Sequence, residues 1–392
     1  MSANFGERLR EIRKRRGMSQ RELAEISGVS LSLVRKLEQG EREDTRLETA
    51  RQLATALKVP TTQLIAEHAE APADDATVDR WAPVHAALAA PAELDALGEA
   101  PTFEGVRDAL QAAVPLFSHD RFVELGAALP PLLRDAETLL EIDPRGRPLR
   151  ARLLELTGWL MTQTRQFDAA ELALARALDD ATDRIQGAAT VNTQCWLLLR
   201  RGRLADAREL AAQWADDVEP RMSRATPAEL STWGWLLLRL SAAAIRDNRP
   251  GEAEDALRLA NSAAVALGRE CTPEDDFLRT FGPVTVALKR TENAMVAGQP
   301  DKVLTLASRI PADSLKPSSN NRNRHLLDVA NAYTQQRQYA EAVDVLQKIR
   351  AGSPQWLPNQ RYARDILGRI VSRRRTLTPD MRELADLVAL PV

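Results

Sequence analysis

A short run of residues near the N-terminus has the types and spacing needed to hydrogen-bond nucleic-acid bases and phosphates. Leu31, Ser32, Arg35 and Lys36 recur at one- and three-residue intervals, so on an α-helix they share one face. Arg and Lys donate to guanine edges or phosphates, Ser can donate or accept, and an apolar side chain can contact a thymine methyl group. The pattern predicts a helix that enters the major groove of double-stranded DNA.

Two predicted helices joined by a tight turn position this face. Ser19 and Glu22 are spaced as a capping box that begins the first helix. Gly28 supplies a positive φ at the turn, and Ser30 caps the second helix, which continues through Glu38. The sequence also predicts helices over residues 5–16 and 47–57, and a short one from residue 61.

The full motif is Ser19-Gln20-x-x-Leu23-Ala24-x-x-x-Gly28-Val29-Ser30-x-x-x-Val34-x-x-Leu37-Glu38-x-Gly40. It resembles the phage-repressor-like (XRE) helix-turn-helix family over residues 5–66, which implies a lambda-repressor-like fold. One departure is Thr45, where many members have a proline. The resemblance implies that Leu31, Ser32 and Lys36 read base edges and that Gln20 contacts a phosphate or a flanking base.

The predicted DNA-binding residues combine this resemblance with charge and with the N-cap. They are Gln20, Arg21, Ser30, Leu31, Ser32, Arg35, Lys36 and Arg42. Arg21 and Arg42 are expected at phosphates together with Arg13 and Lys14, and Arg35 suits either a base or a phosphate. Two alternatives stay open: Leu31 packs beside the preceding helix instead of contacting a base, and the basic face is simply solvated.

Charge is distributed unevenly although the chain carries a net charge of only −2. Residues 1–58 contain 13 Lys and Arg against 9 Asp and Glu, whereas residues 59–115 contain 2 against 10. A basic N-terminal segment followed by an acidic, Ala- and Pro-rich segment suits a DNA-binding domain joined to a linker that the DNA phosphates repel. We predict a DNA-binding domain over 1–66, a linker over 67–100 that includes a short helix near 81–89, and a helical domain over 101–392.

Other chemistry has little support in the sequence. Cys195 and Cys271 have no nearby Cys or His at metal-binding spacing, and no phosphate loop, dinucleotide fingerprint or zinc motif occurs. We therefore expect no catalytic activity, no cofactor and no metal. The chain shows no signal peptide and no uncharged stretch of bilayer length, which predicts a cytoplasmic protein without a membrane partner.

The rest of the chain has helical periodicity and weak internal repeats, so the predicted fold class is all-α. Residues 154–178, with Gly158, Phe167 and Ala170, resemble a tetratricopeptide (TPR) repeat. Similar small-residue ladders begin at four later positions: Ala207, Ala253, Val303 and Ala342. Their unequal spacings predict a divergent, TPR-like α-solenoid, which cannot hold a regular 34-residue period.

In such a solenoid the first helix of each pair lines the concave face. The candidate ligand-binding residues on these helices are Arg152, Trp159, Gln163, Asn192, Trp196, Arg200, Trp235 and Asn331. Aromatic walls interleaved with carboxamides suit an extended peptide or a small molecule. The alternative is that the tryptophans are core residues and that the carboxamides are caps or interhelical bonds.

The layout resembles peptide-responsive regulators that join this helix-turn-helix to TPR-like repeats. Residues 375–382 make it more similar to actinobacterial regulators. The resemblance implies a homodimeric transcriptional regulator on a two-fold DNA operator, in which the repeat domain mediates dimerisation and binds a peptide or small-molecule signal. The alternative function is a TPR protein-interaction scaffold that the helix-turn-helix localises to DNA.

Overall fold

The computed structural model describes residues 4–42, 45–65, 75–89, 100–274, 276, 278–315, 318–374 and 376–390. Within these ranges the chain is all-α, as its periodicity predicts, and its β-structure is one isolated bridge between Cys271 and Phe281. Residues 67–74 and 90–99 of the predicted linker lie outside the described residues, as do residue 66 of the predicted DNA-binding domain and Arg375 of the C-terminal motif. No helix in the described ranges is long and apolar enough to cross a membrane.

The first four helices form a small domain, here called the head (residues 4–65). Ser19 and Glu22 form the predicted capping box at the start of the second helix, and Gly28 ends that helix with φ +71°. Leu9, Leu23 and other apolar residues fill a separate core between the helices. The head helices are α1 (Phe5–Arg15), α2 (Gln20–Ser27), α3 (Leu31–Glu38) and α4 (Leu47–Leu57), followed by a 3₁₀ turn at Thr61–Gln63.

A fifth helix, α5 (Asp75–Ala89), lies inside the predicted linker. It is longer than the expected 81–89 segment, and it is packed instead of spanning solvent. Trp81 is buried, and its ring lies over Gly126, where an added Cβ would come within 2.4 Å of it. This part of the predicted linker therefore belongs to the core of the helical region.

The remaining helices form seven consecutive antiparallel pairs in the described part of the chain, here called the solenoid. Neighbouring pairs pack against one another in chain order. The pairs are α6 (Phe103–Ser118) with α7 (Phe122–Ile142), α8 (Arg147–Gln163) with α9 (Phe167–Asp179), α10 (Arg184–Arg200) with α11 (Leu204–Asp217), α12 (Pro227–Arg246) with α13 (Pro250–Leu267), α14 (Pro283–Val296) with α15 (Pro300–Ala307), α16 (Ser319–Gln335) with α17 (Tyr339–Gly352), and α18 (Arg361–Val371) with α19 (Pro379–Leu387).

Six of these pairs share one turn geometry. Two positions before each second helix, the backbone adopts a left-handed conformation, with φ between 55° and 76°. The amide that follows bonds back across the end of the first helix, as Gln166 N does to Met161 O and Arg249 N to Ala244 O. The left-handed residues are Asp120, Arg165, Gly202, Asn248, Gly298 and Arg337. A repeated turn explains why the pairs stack although their sequences and spacings diverge.

The small-residue ladders lie where the sequence places them, on the second helices. Ala170, Ala207, Ala253, Val303 and Ala342 are all buried. Small side chains at these positions allow the two helices of a pair to approach closely, so the larger residues of the first helices are left to face the inner side of the stack. The solenoid core divides into two main clusters. One joins residues from both ends of the solenoid, and the other lies in the middle of the chain order.

Candidate nucleic-acid interface and inner cavity

Helix α3 presents the predicted recognition residues on its outer face. Val34 and Leu37 are buried in the head core, whereas Ser32, Arg35 and Lys36 are exposed. Because the apolar side is anchored, the polar side is held outward on a fixed helix. A two-turn helix with donors on its free face has the dimensions and the chemistry to enter a major groove.

The N-terminal end of α3 is stabilised by its own residues. The Ser30 hydroxyl accepts a hydrogen bond from Leu33 N at 3.2 Å, so Ser30 acts as the N-cap predicted from the sequence. Leu31 is half-buried against the head core. This agrees with the alternative that Leu31 packs beside the preceding helix, although part of its side chain stays at the surface. Arg21 is exposed on α2 and forms a 3.4 Å ion pair with Glu25.

A buried polar network ties α1, α2 and α3 together behind this face. Arg13 donates to both carboxylate oxygens of Glu38, at 2.6 and 2.7 Å, and Gln20 donates to the same carboxylate at 2.8 Å. Burial acts to raise the pKa of Glu38, but the hydrogen bonds from Arg13 and Gln20 outweigh it and lower that pKa. The expectation that Arg13 contacts a phosphate is therefore wrong, because this side chain is buried and hydrogen-bonded inside the head.

This network also gives Gln20 a definite position. Its amide is partly buried and held by Glu38, and it lies at the first residue of α2 beside the outer face of the head. Arg42 follows α3, and its backbone amide donates to Lys36 O at 3.3 Å. The eight predicted DNA-binding residues thus lie on α2, at the N-cap of α3, on α3 itself and just after it, all within one small domain.

Comparison with known proteins finds similarity within the head. Residues 9–64 match the helix-turn-helix family model. The head is a helix-turn-helix domain. The chain is 40% identical over 62 residues to the uncharacterized HTH-type transcriptional regulator RghRB of Bacillus subtilis (strain 168), which covers 16% of this chain and 45% of that protein.

A second relative gives a similar result. The chain is 40% identical over 57 residues to the HTH-type transcriptional repressor RghR of Bacillus subtilis (strain 168), covering 14% of this chain and 42% of that protein. This chain therefore spans less than half the length of either relative. The similarity is about as long as the head alone, so the role of the solenoid has to be inferred from its own residues.

The head docks onto the turn between α12 and α13. The Thr61 hydroxyl donates to Arg246 O at 2.9 Å, and Thr62 N donates to the Asp247 carboxylate at 2.9 Å. Asn248, the left-handed residue of that turn, donates through its amide to Val59 O at 3.1 Å. The repeated turn geometry therefore also supplies the polar edge that holds the head.

The docked head and the solenoid border a half-open cavity of about 860 Å³. One wall is the head, through the end of α2 and through α4, with Arg51 and Thr55 among its residues. The other walls are the first helices of successive pairs, α10, α12, α14, α16 and α18. The first helices therefore line the inner side of the stack, and the head covers part of it. We call this space the inner cavity.

Four of the eight predicted ligand residues line the inner cavity: Trp196, Arg200, Trp235 and Asn331. Trp196 is half-buried, with the Arg200 guanidinium 5.9 Å from its ring centroid. Asn331 donates to the Tyr362 hydroxyl at 2.8 Å. Trp235 is almost fully buried and donates to Thr280 O at 3.2 Å.

The other four predicted residues do not line the inner cavity and have structural partners instead. Trp159 packs edge-on against Phe117, with ring centroids 4.6 Å apart. Asn192 donates to Thr232 O at 3.4 Å, and Arg152 donates to Glu274 O at 3.2 Å. The fourth residue, Gln163, is buried and donates at 2.8 Å to Asn320, which is itself a cavity residue.

Among the basic residues of the inner cavity, Arg239 and Lys289 were missed from the sequence. Arg239 follows Trp235 by four residues, so one helical turn places both on the inner face of α12. That signal was present in the sequence. Lys289 gave no comparable signal, because α14 has no tryptophan or carboxamide stripe to mark its inner face.

A second buried charge cluster joins α8 and α10 to the loop before α14. Arg279 donates to Glu155 at 3.2 Å and also to Asp276 and Thr193. Burial raises the pKa of Glu155 to about 7, against the opposing effect of the Arg279 charge. These residues bond to one another and lie outside the cavity lining, so they serve the solenoid's structure.

Proposed function

We propose that this chain is a sequence-specific, DNA-binding transcriptional regulator of the XRE type that reads DNA with α3. The observation that carries the proposal is the exposure of Ser32, Arg35 and Lys36 on a helix whose opposite face is anchored in the core. The names of both relatives describe transcriptional regulators, which supports the same function for the head.

The roles of the side chains follow from their chemistry. Arg35 and Lys36 can each donate to the O6 and N7 atoms of guanine, and a good contact of this kind discriminates by about 1–3 kcal/mol. Arg21 and Arg42 would contact phosphates, which sets affinity and its salt dependence but carries no sequence preference. Gln20, held by Glu38, would contact a phosphate or a flanking base at the edge of the groove.

We further propose that the chain acts as a homodimer on a two-fold operator. A two-turn helix with three or four base-reading side chains covers too few base pairs to find one site among a genome's competitors. Two heads whose recognition helices lie about 34 Å apart would double the contacts. Dimerisation is assigned to the solenoid because the head's free face is needed for DNA.

The solenoid, a divergent TPR-like repeat domain in this proposal, binds a peptide or small-molecule signal. The inner cavity supports this role, because its volume is that of a typical small-ligand site and its walls combine aromatic, amide and basic groups. The proposed domains are 1–66, 67–100 and 101–392, except that α5, within the linker range, is assigned to the repeat domain because it packs against it.

The test is selection of binding sites from randomised duplex DNA by the purified full chain. We expect one enriched motif with two-fold symmetry, and light scattering should give twice the mass of the 392-residue chain. A double variant, Arg35→Ala with Lys36→Ala, should lose the motif, whereas Arg258→Ala on the exposed surface of α13 should retain it. If the chain enriches no motif but co-purifies with a protein that the solenoid binds, the interaction-scaffold function is correct instead.

A further inference from the structure

The inner cavity carries more positive charge than its own carboxylates neutralise. Among the residues that the structure describes, nine Arg and Lys side chains line it, against three Asp and Glu side chains. A cavity with this imbalance has a positive potential, and low-dielectric walls strengthen it. Such a site attracts an anion and disfavours a neutral or cationic ligand of the same shape.

The basic residues are clustered in the solenoid wall. The Arg239 guanidinium lies 5.0 Å and the Lys289 ammonium 5.5 Å from the Trp235 ring centroid. Lys289 also forms a 3.0 Å ion pair with Glu292, a carboxylate that it shares with Arg246. One carboxylate thus serves two cations, and Arg239 pairs with an aromatic ring in place of a carboxylate.

Arg239 is the residue most in need of an anion. Its Nε atom is buried and has no hydrogen-bond partner among the described residues. Burial, and secondarily the charge of Arg279, lowers the pKa of Arg239 to about 9. Burial likewise lowers the pKa of Lys289, and the charge of Arg239 adds to that effect. A buried cation without a full set of hydrogen-bond acceptors and a counter-charge is costly, and an anion would relieve that cost.

The lining of the inner cavity also contains apolar side chains. Trp196 presents a half-buried ring to the inner cavity, next to Leu199 and Leu238. Beyond it, Asn320 and Asn331 carry amide groups, and the Asn331 Oδ1 atom is buried without a hydrogen-bond partner in the described part of the chain. The lining therefore offers a charged end, an apolar surface and a polar rim.

We propose that the inner cavity binds a small organic anion, with its carboxylate or phosphate against Arg239, Lys289 and Arg324 and its apolar body against Trp196. The proposal gives a chemical class to the signal of the regulator proposed above and rests on that function for its biological meaning. The binding itself is a property of the full chain and is measurable without DNA.

The same geometry gives the anion a mechanical effect. Arg51 on α4 lines the head's wall of the cavity, and its Nε atom donates to Ile245 O at 3.3 Å across the junction. An anion in the cavity would contact or attract both walls at once. Since a ligand shifts an equilibrium by its differential affinity for the two states, it would favour the docked position of the head.

The experiment uses the full chain and matched probes. Isothermal titration should be run with 1-naphthoate, with the neutral 1-naphthalenemethanol of similar shape, and with inorganic pyrophosphate. We expect saturable, one-to-one binding of an anion, at least tenfold tighter than that of the neutral alcohol. Naphthoate binding indicates a carboxylate ligand with an apolar body, and pyrophosphate binding alone indicates a phosphate ligand.

Variants test whether the binding occurs at the assigned residues. Arg239→Met should weaken anion binding at least tenfold and should leave the thermal unfolding temperature equal or higher, because it removes a buried charge. Arg258→Met, a matched change at an exposed arginine of α13, should alter neither. If neither anion binds, if the alcohol binds equally well, or if Arg239→Met binds the anion as the parent chain does, the proposal is overturned.

Two further readouts separate this proposal from the one on which it rests. The bound anion should slow hydrogen exchange in peptides from α4, and exchange that slows only in the solenoid would refute the role of the head as a wall. Loss of anion binding with intact motif selection overturns only the anion site. Loss of motif selection with intact anion binding overturns only the regulator.

Discussion

Glu38 provides the sharpest test of how the head holds α3. The substitution Glu38→Gln keeps the shape of the side chain but removes the charge that Arg13 and Gln20 share. Arg13 is 8% exposed, so its guanidinium would stay buried without a counter-charge. Breaking a buried pair in this way costs about 3–5 kcal/mol.

We expect the lower end of that range, about 3 kcal/mol, because the new amide can still accept one hydrogen bond from Arg13. The head is a domain of roughly sixty residues, for which a total stability of about 3–9 kcal/mol is ordinary. The substitution should therefore remove a large part of the head's stability while leaving the solenoid intact.

Hydrogen exchange of the full chain, followed by mass spectrometry, reports the two regions separately. Peptides from α1 to α3 should exchange about a hundredfold faster in Glu38→Gln, and solenoid peptides should be unchanged. The control is Glu11→Gln, at an exposed pair with Arg15, where we expect less than about 0.5 kcal/mol. Head protection that falls by less than fivefold would refute the assignment of Glu38 as the buried anchor.

The pH dependence of the head follows from the same carboxylate. Its pKa is lowered in the folded state, so its stabilising effect is complete above the unfolded value of 4.5. The effect is lost as the pH falls through the folded pKa. Acid should thus open the parent head in a step that is absent from Glu38→Gln, and the same exchange measurement at pH 7 and below pH 4.5 checks it.

Three further predictions concern single positions elsewhere. Gly6→Ala should cost more than about 3 kcal/mol in thermal unfolding of the head and should displace α3, because the new Cβ would lie 1.9 Å from Leu37 O. The control Gly352→Ala places its Cβ in open space and should be tolerated. Equal melting temperatures of the two variants would contradict the close approach at Gly6. Asn248→Gly keeps the left-handed turn but removes the donor to Val59 O, so hydrogen exchange in residues 59–65 should become about fivefold faster. The matched control Arg337→Gly should leave hydrogen exchange in that segment unchanged. Burial, with the nearby Lys289 charge, lowers the pKa of His325 to about 4 from 6.5, so its contribution to stability is present above pH 6.5 and lost as the pH falls toward 4. In urea unfolding, the free energy of unfolding lost between pH 7 and pH 4.5 should be about 2–3 kcal/mol smaller in His325→Gln than in the parent chain. Identical losses in the two chains would refute the prediction.

The head was predictable from sequence because its signals are local. The Ser19–Glu22 capping box, the turn at Gly28 and the Ser30 cap each depend on residues within four positions of one another. The error at Arg13 has the opposite cause. Its partner Glu38 is 25 positions away, and no local pattern distinguishes a buried arginine from a solvated one.

The solenoid was only partly predictable, for a related reason. Its turns share a left-handed residue, but that residue is Asp, Arg, Gly or Asn, so a search for glycine finds only two of the six. The ladder positions were found because small residues, which the structure shows to be buried, recur on the second helix of five of the pairs. Trp159 and Trp196 had equal status in the sequence, and only packing shows that one lies against Phe117 and the other faces the inner cavity.

Base preference at single positions tests the central claim most directly. Affinities of the full chain should be measured for its selected duplex and for every single-base-pair change of it, using the parent chain, Lys36→Ala and Arg21→Ala. The account predicts that Lys36→Ala loses about 1–3 kcal/mol of discrimination at one position of each half-site, while Arg21→Ala weakens all duplexes equally. If Lys36→Ala leaves every base preference unchanged, α3 is not the recognition helix.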